Sequence, residues 1–167
     1  MLKGNQKKFF LSLLVIVAIF AFDRFSKLYI LNLAETDKVD IYINSFLNLH
    51  LIWNTGIGFG LFSSDTNFYY NLTTILIVFI NIVILIMILK SSDYNFLFLL
   101  MILGGSLGNL FDRFYYKAVP DFIDLHYGNF HWFVFNVADI FITIGIICLI
   151  VVEFIFNNKK KLNNEKI

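Results

Sequence analysis

Four long runs of apolar residues, separated by shorter polar or aromatic segments, dominate the pattern of this chain. A helix needs about 20 apolar residues to cross the hydrocarbon core of a bilayer, and each run is long enough. The runs are uninterrupted rather than alternating, and lipid offers no partner for unpaired backbone groups, so they predict helices. The predicted spans are residues 9–31, 68–89, 96–114 and 132–156.

The composition agrees with a membrane protein. Of the 167 residues, 59% are hydrophobic and 21 are Phe, whereas a globular protein is about 45 to 50% apolar. Neither a linker nor an internal repeat is visible, so we predict an all-α integral membrane protein with one domain over residues 1–167. The net charge of +1 gives no reason to expect nucleic acid as a partner. The single cysteine, Cys148, excludes an intramolecular disulfide.

The N-terminus has some features of a cleaved signal peptide, because lysines precede the first apolar run. Two observations oppose cleavage. Ala18 and Ala21 do not have the A-x-A spacing of a cleavage site, and the apolar character resumes after Asp23 and Arg24. We therefore expect a retained first span.

The positive charges predict the orientation in the membrane. An even number of spans puts both termini on one side, and the lysine and arginine counts near the span ends choose that side. The terminal side has the larger group: Lys3, Lys7, Lys8, Lys90, Lys159, Lys160, Lys161 and Lys166. The opposite side has Arg24, Lys27, Lys38, Arg113 and Lys117. Both termini should be cytoplasmic, with the two longer connections facing outward.

The two outer connections differ in pattern. Residues 39–62 alternate at 39–44 and carry three glycines between positions 56 and 60, which favours short, twisted strands. Residues 114–132 are aromatic, polar and prone to turns, which suits the membrane interface.

Four aspartates, Asp112, Asp121, Asp124 and Asp139, lie on or between the last two apolar runs. A carboxylate at bilayer depth costs roughly 2.5 to 3.5 kcal/mol even on lenient scales, so these residues mark a candidate functional site. Asp139 is predicted about seven residues inside the fourth span, about 10 Å from its outer start. Asp121 comes just before that span, and folding of the outer segment allows the two carboxylates to meet.

A pair of carboxylates in a desolvated pocket cannot ionise fully, so it holds one proton near neutral pH. The ionised partner deprotonates a water, while the protonated partner polarises a peptide carbonyl and then protonates the leaving nitrogen. Such a pair hydrolyses peptide bonds. The alternative is that Asp139 is a structural intramembrane acid paired with Arg113.

Five short motifs occur in a fixed order relative to the four spans. They are Asp23-x-x-Ser26-Lys27, Trp53-Asn54-x-Gly56-x-x-Phe59-Gly60, Gly104-Gly105-Ser106-x-Gly108-Asn109-x-x-Asp112-Arg113, Asp121-Phe122 and Phe135-Asn136-x-Ala138-Asp139. Each motif alone is weak. Together they cover nearly the whole chain and resemble those of the lipoprotein signal peptidases, also called signal peptidase II.

This resemblance implies an intramembrane aspartyl endopeptidase of the bacterial cytoplasmic membrane. Such an enzyme removes the signal peptide from diacylglyceryl-modified prolipoproteins, cleaving just before the lipidated cysteine, and uses neither a cofactor nor a metal. The implied fold is four transmembrane helices with a small extracytoplasmic β-cradle, and the active site lies near the outer face. The partners are membrane lipids and prolipoprotein substrates, and we expect a monomer.

By the same resemblance, Asp121 and Asp139 are the catalytic pair. The residues expected to line the site are Asp23, Asn54, Asn109, Arg113 and Asn136. Two positions depart from the usual family pattern: Pro120 stands where an aliphatic residue is common, and Ser106 replaces the commoner alanine. Neither is a named catalytic group, so only the loop geometry is in question.

Most of the lining residues also have a simpler structural explanation. Asn109 and Asn136 are able to act as interhelical hydrogen-bonding residues, a contribution of about 0.6 kcal/mol in membranes. Gly104, Gly105 and Gly108 are expected to admit a neighbouring helix and are given no catalytic role.

The two charged lining residues have alternatives as well. Arg113 is able to snorkel to the interface or to pair with Asp112. Asp23 is able to pair with Lys27 at the i, i+4 spacing of a helix.

Other chemistries have less support. Ser26 beside Lys27 suggests a Ser/Lys protease, but adjacent residues point about 100° apart on a helix. The histidines, His50, His126 and His131, lack a recognised metal-binding pattern, so no metal site is expected.

Two other function classes remain as alternatives. The first is a small ion transporter or channel subunit, with Asp23, Arg113 and Asp139 along an ion path. Its expected signs are inverted repeats or interrupted helices, and neither is evident. The second is a structural scaffold, against which the clustering of polar residues near the outer side counts.

Overall fold

The computed structural model describes residues 2–36, 38–56, 67–91 and 95–164. In chain order the elements are α1 (Leu2–Thr36), β1 (Asp40–Asn44), β2 (Leu47–Asn54), α2 (Asn67–Lys90), α3 (Asn95–Tyr116), β3 (Val119–Tyr127), β4 (Phe130–Phe135) and α4 (Val137–Asn164). All four helices are long and apolar enough to cross a membrane. The prediction of four spanning helices is therefore confirmed.

The start of the fourth span was predicted incorrectly. Residues 132–135 belong to strand β4, and α4 begins only at Val137. Asp139 consequently lies in the first turn of α4, not seven residues inside the span. Only Asn136 separates the apolar and aromatic residues of β4 from those of α4, so the average hydropathy does not mark the boundary.

The strands form one antiparallel sheet in the order β1-β2-β3-β4. Strands β1 and β2 confirm the short strands predicted within residues 39–62, although positions 57–62 of that segment, with Gly58 and Gly60, lie outside the described residues. The segment 114–132 was not predicted to form strands, yet it contains β3. Two α-helices separate β2 from β3 in the chain, so the centre of the sheet joins distant segments.

Helix α3 packs closely between α1 and α4, as its glycines predicted. A Cβ atom on Gly108 would lie 2.6 Å from Oδ2 of Asp23, and one on Gly105 would lie 2.6 Å from the carbonyl oxygen of Ala138. Any larger residue at these positions would push a neighbouring helix away. Close approach therefore brings the polar residues of three helices together.

Two apolar clusters hold this arrangement. One lies between α2 and α3 and is centred on Leu100, which is fully buried. The other joins α1 and α4 to the sheet and includes Ile30, Phe122 and Val137. Helix α3 ends at Tyr116, and the next residue, Lys117, has a left-handed conformation at φ 62°, where its N–H donates to the Arg113 carbonyl oxygen. This turn leads directly into β3.

Candidate active site

The first turn of α4 is closed by reciprocal hydrogen bonds between Asn136 and Asp139. The Asp139 N–H donates to Oδ1 of Asn136 at 3.1 Å, and the Asn136 N–H donates to Oδ2 of Asp139 at 3.1 Å. This is a capping box in which Asn and Asp replace the usual Ser and Glu. Asp139 is therefore held in place by the start of its own helix.

Asn136 also connects this helix to strand β3. Its Nδ2 donates to Oδ1 of Asp121 at 2.6 Å. The other oxygen of Asp121 accepts a hydrogen bond from Nδ2 of Asn54, on β2, at 2.9 Å. One asparagine thus contacts both aspartates, and the predicted approach of Asp121 to Asp139 is found.

A third asparagine completes the arrangement. Nδ2 of Asn109, on α3, donates to Oδ1 of Asp139 at 2.8 Å. Each carboxylate therefore accepts two N–H groups, which come from three side-chain amides and one backbone amide. All of these donors are neutral, so they orient the two carboxylates without neutralising them.

Both aspartates are removed from solvent, with exposed fractions of 2% for Asp121 and 7% for Asp139. Burial raises the pKa of Asp121 to about 7, and the nearby charge of Asp139 adds to the effect. The hydrogen bonds from Asn54 and Asn136 act in the opposite direction but are outweighed. Asp121 is thus able to exchange a proton near neutral pH.

A cavity of about 310 Å³ opens beside the pair, between α2, α3 and α4. Its polar wall includes Asn54, Asn109, Arg113, Asp121, Asp139 and Thr143, and its apolar wall is largely isoleucine. Ser106, one of the two departures from the family pattern, is also in the wall. The cavity therefore has a polar wall at the carboxylates and an apolar wall along the helices.

Arg113 is almost fully buried at this cavity. Its Nη1 donates to the carbonyl oxygen of Thr55 at 3.4 Å, and its guanidinium lies 5.7 Å from the centre of the Tyr70 ring. Its buried Nε has no hydrogen-bond partner. The alternative pairing with Asp112 is not found, because Asp112 pairs with Arg24 and Lys27 instead.

Lys27 was not among the predicted site residues, although it is fully buried at the site. Its ammonium donates to Oδ2 of Asp23 at 2.7 Å and to Oδ1 of Asn109 at 2.8 Å, and it forms an ion pair with Asp112 at 2.7 Å. Since the Asn109 oxygen faces Lys27, its NH₂ group must face Asp139. Lys27 thereby fixes the orientation of an amide that contacts the pair.

Asp23 lies behind the cavity rather than in its wall, as far as the described residues show. Its Oδ2 pairs with Lys27 as the helical spacing predicted, and its Oδ1 accepts the N–H of Ala138 at 2.9 Å. Asp23 thus binds a free backbone donor in the first turn of α4. Its contact with Asp139 is indirect.

The Ser/Lys arrangement receives no support. The Ser26 hydroxyl donates to the carbonyl oxygen of Asp23 in its own helix at 2.7 Å, whereas Lys27 faces α3. The structural pairing of Asp139 with Arg113 is also absent, since among the described residues no ion pair within 4 Å joins them. Asp139 instead accepts hydrogen bonds from Asn109 and Asn136.

One signal in the sequence would have improved the prediction. Asn136-x-x-Asp139 before an apolar run is a capping-box pattern, and it places the helix start at Val137. Asp23 and Lys27 at i, i+4 were noted only as a structural pair. Their further contacts, with Asn109 and Asp112, require the packing of α1 against α3.

Four spanning helices and a buried carboxylate pair beside a cavity define a multi-pass membrane protein with a site suited to acid–base chemistry. Comparison with solved structures supports this class of protein. The chain is similar to two solved bacterial membrane enzymes: one with a TM-score of 0.71 and 27% identity, covering 89% of this chain and 90% of the other, and one with a TM-score of 0.67 and 30% identity, covering 84% and 90%.

The family model of signal peptidase (SPase) II matches residues 15–156. A lipoprotein signal peptidase of Pelagibacter ubique (strain HTCC1062) is 60% identical over 165 residues, which cover 98% of each chain. Another, of Anaplasma phagocytophilum (strain HZ), is 40% identical over 148 residues, covering 89% of this chain and 94% of the relative. The chain belongs to the signal peptidase II family.

Proposed function

We propose that this protein removes signal peptides from prolipoproteins, as an intramembrane aspartyl endopeptidase that uses Asp121 and Asp139. Family membership supports the cleavage of prolipoproteins and gives no support to the transporter alternative. The aspartyl mechanism rests on one observation, the two buried carboxylates that share Asn136. Neither a metal nor a cofactor takes part in the proposed steps.

Asp139 is the proposed general base. It lies in the first turn of α4, where the helix dipole and the Asn136 N–H stabilise negative charge. Within the coupled pair the proton is therefore assigned to Asp121, whose pKa of about 7 suits an acid that works near neutral pH. Ionised Asp139 takes a proton from a water, and the water oxygen attacks the carbonyl carbon of the scissile bond.

Protonated Asp121 donates a hydrogen bond to the carbonyl oxygen as negative charge develops there. When the C–N bond breaks, Asp121 transfers its proton to the leaving nitrogen, and the proton that Asp139 took from water keeps the pair singly protonated. The products are a carboxylate at the end of the signal peptide and a free amine on the lipidated cysteine. No covalent intermediate is required, because water is the nucleophile.

The other site residues position this pair. Asn54, Asn109 and Asn136 hold the carboxylates through the hydrogen bonds described above. Arg113 borders the same cavity with an unpaired Nε, so we assign it to the binding of a substrate carbonyl or lipid ester. Asp23 acts from behind, through Ala138 at the start of α4.

The sheet is proposed to face outward, with both termini in the cytoplasm. The lysine distribution supports this orientation, as do exposed aromatic residues on the β3–β4 hairpin such as Tyr127 and Trp132, which suit the headgroup region. Cysteines introduced at Asn44 and Asn129 should then react with an impermeant reagent outside intact spheroplasts. Labelling of a cysteine at Asn163 under the same conditions would contradict the orientation.

The substrate is proposed to be the diacylglyceryl-modified precursor, cut just before its lipidated cysteine. Each buried CH₂ contributes about 0.8 kcal/mol, so two acyl chains in the bilayer anchor the scissile bond better than small side chains do. A site at the first turn of α4, next to the interfacial sheet, leaves those chains in lipid. A monomer suffices, because all proposed residues belong to one chain.

The test compares the lipidated precursor with the same polypeptide carrying an unmodified cysteine, in the same mixed micelles. We expect kcat/KM for the lipidated form to be at least ~100-fold higher, or about 2.7 kcal/mol of transition-state binding. Equal values would show that peptide, rather than lipid, is recognised. Absence of cleavage of both by a well-folded sample would remove the peptidase assignment.

A further inference from the structure

Asp124, His126 and His131 form a cluster on one face of the sheet. His126 follows Asp124 by two residues on β3, and His131 on β4 is the direct cross-strand partner of His126. Residues in these positions point to the same side. One possible ligand atom from each of the three lies within 4.8 Å of the others.

Asp124 is the centre of this cluster and is nearly buried. Its Oδ2 lies 2.9 Å from Nδ1 of His131 and 3.9 Å from Nδ1 of His126. The two imidazole rings stack with their centres 5.2 Å apart and an interplanar angle of 27°. Two ring nitrogens therefore converge on a single carboxylate oxygen.

The most informative atom is Nδ1 of His126. Its side chain is only 10% exposed, and this nitrogen is buried without a hydrogen-bond partner. A buried polar atom is normally satisfied, because an unmade hydrogen bond costs roughly 1 to 3 kcal/mol. Asn48 lies across from Asp124 on β2, and its Oδ1 is also buried without a partner.

We propose that Asp124, His126 and His131 bind a divalent transition-metal ion, with Zn²⁺ as the ion tested. Two imidazoles and one carboxylate suit such ions, whereas Mg²⁺ and Ca²⁺ prefer oxygen ligands throughout. In a tetrahedral zinc site the ligand atoms are about 3.3 Å apart for bonds of about 2.0 to 2.1 Å. Around such an ion the 3.9 Å separation of Asp124 and His126 would shorten and the 2.9 Å separation of Asp124 and His131 would lengthen, each by about half an ångström. Nδ1 of His126 would then gain its missing partner.

The position of the cluster indicates what a bound ion would do. The pairing of β3 with β4 shifts register between Asp124 and His126, and the ion would hold the two strands together at this irregular point. His126 also lines a cavity of about 530 Å³ that reaches Asp139 along the hairpin. Metal binding would thus stiffen one wall of that cavity while leaving Asp121 and Asp139 free of metal.

This proposal does not depend on the peptidase assignment, because its test measures binding. Full-length protein in detergent is stripped with a chelator and titrated with ZnCl₂ by calorimetry. We expect one ion per chain, and a Kd at least ~30-fold weaker for His131→Ala and for His126→Ala. Because His131 is 56% exposed, its replacement should leave the fold intact even if that of His126 does not.

The matched control is His50→Ala. His50 faces Asp40 at 3.7 Å on the same sheet, and in the described part of the chain no third ligand joins them, so zinc affinity should change less than 2-fold. A His131→Cys variant keeps a zinc ligand and should recover most of the binding, while His131→Gln should not. Absence of saturable binding in the unsubstituted protein, or an equal loss in His50→Ala, would overturn the proposal.

Thermal unfolding supplies an independent measurement. Zinc should raise the Tm of the unsubstituted protein and of His50→Ala, because a ligand that binds only the folded state stabilises it. The Tm of His131→Ala should not respond. A zinc response of the same size in all three proteins would contradict binding at this cluster.

Discussion

Two buried polar clusters lie next to each other in this protein, and they differ in their charge. The charge-balanced cluster contains two cations, Arg24 and Lys27, and two anions, Asp23 and Asp112, joined by ion pairs. The carboxylate pair, Asp121 and Asp139, is held only by neutral amides.

This difference in charge indicates a structural role for the charge-balanced cluster and a chemical role for the carboxylate pair. Removing a charge from a balanced buried cluster leaves its partner uncompensated, which costs about 3 to 5 kcal/mol. The two carboxylates have no directly bonded cation, and burial together with their mutual repulsion outweighs the more distant charge of Lys27, so Asp121 retains a proton that it can transfer. Asn109 connects the clusters, because it accepts from Lys27 and donates to Asp139.

The largest effect is expected from neutralising either member of the carboxylate pair. Asp121→Asn and Asp139→Asn should each lower kcat/KM for the lipidated precursor at least ~1000-fold, because each removes a proton-transfer group. Both variants should stay folded, since the amide keeps the shape and removes the repulsion. Circular dichroism and gel-based cleavage assays measure the two properties.

The matched control for this prediction is Asp40→Asn, on the exposed strand β1. It should keep most of the activity. Strong activity in Asp139→Asn would refute the aspartyl mechanism, whereas unfolding of both site variants would mean that the pair is structural.

Removing one charge from the charge-balanced cluster should lower stability, whereas neutralising a member of the carboxylate pair should lower activity and leave the fold intact. Lys27→Met leaves Asp23 and Asp112 with a single cation, Arg24, so we expect a loss of about 3 to 5 kcal/mol in stability. The double variant Lys27→Met with Asp23→Asn keeps the pair of Arg24 and Asp112 and should recover at least half of that loss. Chemical denaturation in detergent measures both.

A Lys27→Met protein as stable as the unsubstituted one would contradict the structural role. The double variant also tests the connection through Asn109. Its activity should stay low even though its stability is partly recovered, because no ammonium then fixes the Asn109 amide toward Asp139.

Asn136 allows the capping and positioning effects to be separated. Asn136→Ser retains a good helix cap but lacks the amide donor to Asp121, so activity should fall about 100-fold with little change in Tm. Asn136→Ala should lose similar activity and a further ~1 kcal/mol of stability. Equal stability of the two variants would show that the cap contributes little.

The most gradual effect concerns pH, because it is spread over about three pH units. The pKa of Asp121 is raised from 3.8 to about 7 in the folded protein, so the folded state holds a proton that the unfolded state has lost between these values. Stability should therefore fall as pH rises from about 4 to about 7, by up to ~1.4 kcal/mol per pH unit. Asp121→Asn should show a flatter profile. A parallel profile in both proteins would mean that Asp121 ionises normally.

The sequence alone was sufficient for the membrane architecture. The length and continuity of the apolar runs predicted four spanning helices, and the alternation at residues 39–44 predicted strand β1. These features are local, because the helix length is set by bilayer thickness and the strand pattern by two-residue periodicity. The five motifs were likewise enough to indicate the family.

The tertiary structure decided what these residues contact. Val137 begins α4 because Asn136 and Asp139 cap it, a boundary that continuous hydrophobicity conceals. Lys27 joins the site because Gly108 lets α1 approach α3 closely. Asp121 acquires its raised pKa only when β3 folds against α4 and excludes water. Burial and hydrogen bonding between distant segments depend on packing, which no local sequence pattern encodes.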